Sequence, residues 1–409
     1  MVTPTPNPCL RALAASLHAR AAVLLALAAW LALTAIPALG QTPGVPPVPR
    51  LPLQAAPAGS AFEGTGMWIW YVARSSGGNP DAIIAQATAA NVKTVFIKSS
   101  DGGSWWPQFS PELVAALKAG GLRVCAWQYV YGTRPVVEAR MGRQAIQSGA
   151  DCLVIDAESQ YEGKYWQAQR YMRKLRAYAG DSYPIGLAGF PYMDYHPAFP
   201  YSVFLGPGGA QFNVPQMYWK DIGTTVDGVY AHTYLYNPLY GRPIFPLGQL
   251  YNRPTKSQVV RFRTLAFGYG AAGTSWWDWQ EALSSGWAGL RAVVSPLAAA
   301  GVELPPPPVF SRGARGDMIV WAQEHLTAAG VRTRANGVFD GTMKRRVVRF
   351  QTVAAMVPTG QLDAATWTAL LSRPAAKVSW RRGVSAAAAG PNGPSSAHLP
   401  AVRDEIPQK

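Results

Sequence analysis

Gly149-Ala150-Asp151-Cys152-Leu153-Val154-Ile155-Asp156-Ala157-Glu158-Ser159 reads as a short apolar strand that ends in two carboxylates. Side chains alternate along a strand, so Asp156 and Glu158 point to the same face. In a parallel barrel both stand at the C-terminal mouth, where such folds keep their active sites. Two neighbouring carboxylates resist ionising together, and the one whose pKa rises can act as a general acid. That is the chemistry of glycosidic cleavage. The blander reading is a strand that simply ends in polar residues.

Outward from this stretch, short β-type runs alternate with helical ones. Eight strands are expected: Met67–Val72, Thr94–Ser99, Arg123–Tyr131, Cys152–Glu158, Ile185–Phe190, Val214–Trp219, Ile244–Leu250 and Thr274–Trp279. Amphipathic stretches lie between them at Asp81–Asn91, Pro111–Ala119, Pro135–Gln147, Tyr165–Ala179 and Ser257–Tyr269, while the connections after strands five and six are irregular. This α/β pattern has the size of a closed (β/α)8 barrel over 62–300. An open doubly wound sheet would carry a Gly-rich phosphate turn after its first strand, and Ser75-Ser76-Gly77-Gly78 lacks the spacing.

The flanks differ in composition. Residues 1–40 read as a signal peptide: Arg11, His18 and Arg20 precede the apolar run Ala21 to Leu39, with small residues for cleavage at 38–40. An uncleaved membrane anchor is the alternative. Residues 41–61 form a Pro/Ala-rich linker, 301–310 a stiff Pro-rich one, 311–372 a small all-α domain, and 373–409 a disordered tail. The net charge of +15 favours anionic partners such as an acidic wall. No nucleic-acid motif accompanies it, so nucleic acid is not an expected partner. No Cys/His spacing suggests a metal, and no cofactor is expected. Cys125 and Cys152 fall on neighbouring strands; they could pair in an exported protein, but two buried free thiols are the expectation.

The C-terminal ends of the strands should converge on one cleft. It would hold Asp101 from strand two, Trp127 from strand three, Asp156 and Glu158 from strand four, and Gln216, Tyr218 and Trp219 from strand six. Strand eight adds Trp277 and Asp278. Aromatic faces that stack on sugar C–H faces, beside amides and acids that bind hydroxyls, suit a carbohydrate. About half of the Trp residues are expected to be structural instead.

An Asp-x-Glu ending strand four of an eight-stranded barrel resembles glycoside hydrolases that cut N-acetylhexosamine polymers. Family 25 lysozymes carry Asp-x-Glu here. The family 18 chitinases read Asp-x-x-Asp-x-Asp-x-Glu, which Asp151, Asp156 and Glu158 match with Val154 in place of the second acid. Family 25 also has an Asp on strand one, and Met67–Val72 carries none. The resemblance implies Glu158 as general acid and Asp156 as the group that steadies the intermediate, by orienting a substrate N-acetyl group. It also implies Tyr218 as a hydrogen-bond partner of that group. Asp278 and Asp101 are secondary candidates for a carboxylate across the cleft.

The small domain carries the more specific signal. Gly313-Ala314-Arg315-Gly316-Asp317, Ala322-Gln323, Asn336-Gly337-Val338-Phe339-Asp340, Phe350-Gln351, Thr359-Gly360-Gln361-Leu362-Asp363 and Thr366-Trp367 resemble the peptidoglycan-binding domain type 1. Most of these residues fit scaffold roles: Ile319, Ala322 and Leu326, then Val347 and Phe350, share helical faces.

The combined expectation is a monomeric, secreted or envelope-bound protein with no stable membrane span after signal cleavage. It binds peptidoglycan or another cell-wall polysaccharide and hydrolyses glycosidic bonds in it, with the small domain as a tether that raises local substrate concentration. The alternative is a non-catalytic glycan-binding protein built on an inactive hydrolase-like barrel.

Overall fold

The computed structural model describes residues 51–295, 302–384 and 386. The expected signal peptide at 1–40 lies outside the described residues, as do the first part of the linker and most of the tail. Among the described residues, no helix is long and apolar enough to cross a membrane.

The described strands are β1 (Gly64–Ile69), β2 (Val92–Asp101), β3 (Ser104–Trp105), β4 (Arg123–Val130), β5 (Cys152–Ala157), β6 (Ile185–Gly189), β7 (Phe212–Pro215), β8 (Leu247–Gln249) and β9 (Gly273–Trp277). Their order is β7-β6-β5-β4-β2-β1-β9-β8, and every pair in it is parallel. Parallel bridges from Asn213 to Ile244 and from Gln216 to Leu247 join the two ends, so the sheet closes into a barrel. The two-residue β3 folds back antiparallel on β2 at the rim.

Helices follow the strands: α1 (Pro80–Ala89), α2 (Pro111–Ala119), α3 (Pro135–Gln147), α4 (Tyr165–Ala179), the short α5 (Tyr201–Phe204) and α6 (Trp219–Ile222), then α7 (Val226–Tyr236), α8 (Lys256–Gly268) and α9 (Ser284–Arg291). Their starts are written locally. Asn79 and Ser110 cap α1 and α2, each followed by Pro, and Thr255 with Gln258 forms a capping box at α8.

Alternation sorts β5 into two layers. Leu153, Ile155 and Ala157 pack outward against the helices, whereas Cys152 and Val154 fill the barrel interior. Phe62 plugs the bottom, its ring 4.3 Å from Phe212 and 5.4 Å from Phe245. Two glycines make room for this aromatic filling. A Cβ on Gly66 would meet Phe96 at 2.5 Å, and one on Gly186 would meet Phe62 at 3.0 Å.

Cys125 and Cys152 are joined as a disulfide, which corrects the expectation of free thiols. The register sets them directly opposite, both facing inward, with Cα atoms 4.6 Å apart, within the span of a bridge.

The small domain comprises α10 (Asp317–Ala328), α11 (Gly341–Val353) and α12 (Ala364–Leu371). Ile319, Ala322, Leu326, Val347, Phe350, Trp367 and Leu370 make its core. Two buried glutamines staple its turns. Gln351 donates to Thr359 Oγ1, the Gln361 carbonyl and Thr366 Oγ1 and accepts from Gly360 N, and Gln323 makes the equivalent clamp on residues 336–338. The Phe-Gln motif is therefore scaffold.

This domain is docked on the barrel. Asp317 is buried and accepts from Ser202 N, Ser202 Oγ and Tyr240 Oη, each at 2.7 Å. Trp321 donates to the Leu239 carbonyl, and Asp317 N donates to the Pro197 carbonyl. Residues 373–384, expected to be disordered, instead run along α4. Trp380 is buried against Tyr165 at 4.2 Å between ring centroids, and its backbone N–H donates to Gln169 Oε1. One large aromatic side chain, worth about 2–3 kcal/mol when buried, anchors a segment whose composition is otherwise that of a tail.

Candidate active site

β5 ends at the mouth with Asp156 buried and Glu158 half-buried. One side-chain amide holds both: Gln216 Nε2 donates to Asp156 Oδ1 at 3.1 Å and to Glu158 Oε1 at 3.2 Å. Tyr129 Oη lies 3.5 Å from Glu158 Oε2 and donates to Gln160 at 2.9 Å. Burial, and then the Glu158 charge, push the Asp156 carboxyl well above the usual carboxylate range; Lys98 acts in the opposite sense.

Lys98 is buried and enters from β2. Its Nζ sits 4.4 Å from the Trp106 ring, 4.9 Å from Trp127 and 5.4 Å from Trp70, and it pairs with Asp101 at 2.7 Å. Such a cage pays part of the desolvation of an ammonium group. Asp101 also accepts from Tyr131 Oη at 2.8 Å. Tyr218 lies buried on the interior side of the mouth, its phenol pushed well above the usual range by burial and then by Tyr251, with the acids Asp156, Glu158 and Asp278 adding to it. Asp278 is wholly buried. Burial and Glu281 raise its pKa to about 8; its Oδ1 accepts from Glu281 N, and its Oδ2 has no hydrogen-bond partner. Trp277 is half-buried and meets Trp68, Trp70 and Trp127 edge-on or tilted.

Asp156, Glu158, Gln216 and Asp101 thus gather at the mouth with Tyr218 and Trp277. Two expected site residues stand elsewhere. Trp219 is fully buried between barrel and helices, 5.4 Å from Phe262, because β7 ends at Pro215 and the chain turns into α6. Trp127 lies inside the barrel, 2 % exposed, with its N–H donated to the Ile69 carbonyl, so it offers a ligand almost no surface. Asp151 is at the opposite end of β5, where it accepts from Val124 N and pairs with Lys118. Tyr129 and Lys98 complete the mouth. Both were legible as inward-facing positions, two residues from Trp127 and from Phe96. Among the described residues, no group of three or more His, Cys, Asp or Glu is placed to hold a metal.

Residues 315–370 match the family model described as "Putative peptidoglycan binding domain". The chain carries a peptidoglycan-binding domain. No curated protein matches the chain. Among solved structures, the chain is similar to a chitinase from Chromobacterium violaceum at 11% identity and TM-score 0.43, over 56% of this chain and 98% of that one. It is also similar to the spore cortex-lytic enzyme SleL of Bacillus megaterium, at 10% identity and TM-score 0.42, over 57% and 75%. An endo-β-1,4-mannanase from Thermotoga petrophila matches at 10% identity and TM-score 0.43, over 61% and 80%. The barrel closure rests on its own strand pairing.

Proposed function

We propose that this protein is an exported cell-wall enzyme that hydrolyses glycosidic bonds in peptidoglycan or a related N-acetylhexosamine polymer. The observation that carries this reading is the pair Asp156 and Glu158, held by a single Gln216 amide at a barrel mouth, in a chain that carries a peptidoglycan-binding domain. The interior disulfide supports export, since such bonds persist in oxidising compartments.

Glu158 is the more exposed of the two acids. Protonated Glu158 gives its proton to the bridging oxygen as the C1–O bond breaks and its electron pair passes to that oxygen. The substrate's N-acetyl carbonyl oxygen closes on C1, and Asp156 holds the amide N–H proton. Water then opens the ring, giving its proton to Glu158. Tyr218, Trp277 and Asp101 are proposed to bind the sugar around this pair, whereas Asp278 is wholly buried and offers it no surface.

The test compares the protein with Glu158→Gln on purified peptidoglycan, reading released reducing ends and wall co-sedimentation. Turnover should fall at least about a hundredfold while wall binding is retained. Equal release by both would sink the assignment. Wall binding without release by either would make the barrel a non-catalytic glycan-binding module.

A further inference from the structure

α4 carries Arg170, Arg173, Lys174 and Arg176 and no acid at all. Its outer face, with Val136 of α3 and Trp380, lines a cleft of about 450 Å³ that has Trp166 and Trp380 beside Arg170, Arg173 and Lys174. Arg382, two residues past Trp380, also reaches Trp166. The Arg170 and Arg382 guanidinium groups lie 5.2 Å and 5.9 Å from the Trp166 ring centre.

A guanidinium stacked over an indole is held in place while its in-plane N–H edges remain available to a planar anion. Among the described residues, no carboxylate pairs with Arg170, Arg173, Lys174 or Arg382. Like charges three and four residues apart on a helix destabilise it. Arg170 and Arg382 lie over Trp166 and Lys174 over Tyr178, but among the described residues no carboxylate offsets the convergence of these charges on one cleft. A polyanion would do so.

We infer that this cleft is a second polymer-binding site, distinct from the barrel mouth and from the helices of the peptidoglycan-binding domain, which takes an anionic glycan: a sugar chain bearing regularly spaced carboxylate or phosphate groups. The class follows from the mixture. The guanidinium forks match carboxylate and phosphate oxygens, and half-buried Trp166 offers an apolar edge to a sugar ring. Nucleic acid shares the charge, but the same compact body carries a domain for a wall polymer.

The experiment uses the full chain and the triple variant Arg170→Gln, Arg173→Gln, Lys174→Gln, with Arg382→Gln as a separate variant outside the barrel. Gln keeps helix propensity, Arg170 and Arg173 are exposed, and like-charge repulsion is relieved, so melting temperature should not fall. Two probes distinguish the anion: soluble uncrosslinked peptidoglycan strands with stem-peptide carboxylates, and a soluble poly(glycerol phosphate). Binding to at least one should weaken about tenfold or more in the triple variant and lose most of its salt dependence, and Arg382→Gln should show a smaller loss toward the same probe. Loss toward peptidoglycan alone assigns carboxylates; loss toward the phosphate polymer alone assigns phosphodiesters. Unchanged binding to both probes overturns the site. An equal loss toward a DNA duplex at matched charge concentration overturns the glycan class.

Discussion

Asp156 and Asp317 are both buried carboxyls, and they are kept in opposite ways. Asp317, where the small domain meets the barrel, has a hydrogen bond from Ser202 N, Ser202 Oγ and Tyr240 Oη. Burial lifts its pKa to only about 6, because those donors hold the charged form down. Asp156 has one amide donor, shared with a second carboxylate, and lies well above the usual range. Asp278 stands with Asp156: one backbone donor, a bare Oδ2 and a pKa of about 8. A structural carboxylate is given its donors. A carboxyl left short of them beside an open cleft is available for proton chemistry.

Substitution should separate the two kinds. Asp156→Asn is expected to lower turnover on peptidoglycan by about 10²- to 10⁴-fold. It should also raise thermal stability at neutral pH, since Asn still accepts from Gln216 and removes a carboxyl whose raised folded pKa costs stability above the unfolded value. A variant that is both less stable and fully active would place Asp156 with Asp317. Asp317→Ala comes next. It strands three buried donors and should cost about 3 kcal/mol in denaturant unfolding.

The pH dependence at Asp317 follows in sign. Its folded pKa is raised, so its contribution is fully present below the unfolded value of about 4 and is lost as pH rises through about 6. Glu324, raised by burial and by Asp317, adds in the same direction. Stability of the parent should therefore decline from about pH 4 to 6, and that slope should flatten in Asp317→Ala. Asp278→Asn should raise stability at pH 7 in the same unfolding measurement, because the buried acid no longer holds a proton that the unfolded chain releases. A loss there would mean that the bare Oδ2 has a partner in solution.

The sequence made the barrel legible because its strands are short and its helix starts are marked by Pro, Ser, Asn and Thr. Helices α2, α3 and α4 keep their expected bounds, and the Asp156/Glu158 alternation puts both acids at the mouth. Trp219 was misplaced because Met217-Tyr218-Trp219 has β-type composition, yet Pro215 ends β7 and the chain coils. The disulfide was illegible because pairing depends on register, which a single chain's pattern does not specify across two strands. Asp317 reads in sequence as a first-turn acid of α10. Its barrel donors come from positions 202 and 240, far away along the chain.

That docking changes what the small domain does for the barrel. A module on a loose leash sweeps a volume, and its benefit is a concentration. Here Asp317, Trp321 and the Trp380 strap fix the module against α5, the 237–240 turn and α4. The point where the wall is gripped and the point where a strand enters the mouth then stand at a constant separation. If the proposed hydrolysis holds, the molecule would act on its polymer as a gauge, and the fragments it released would carry that separation as a preferred length.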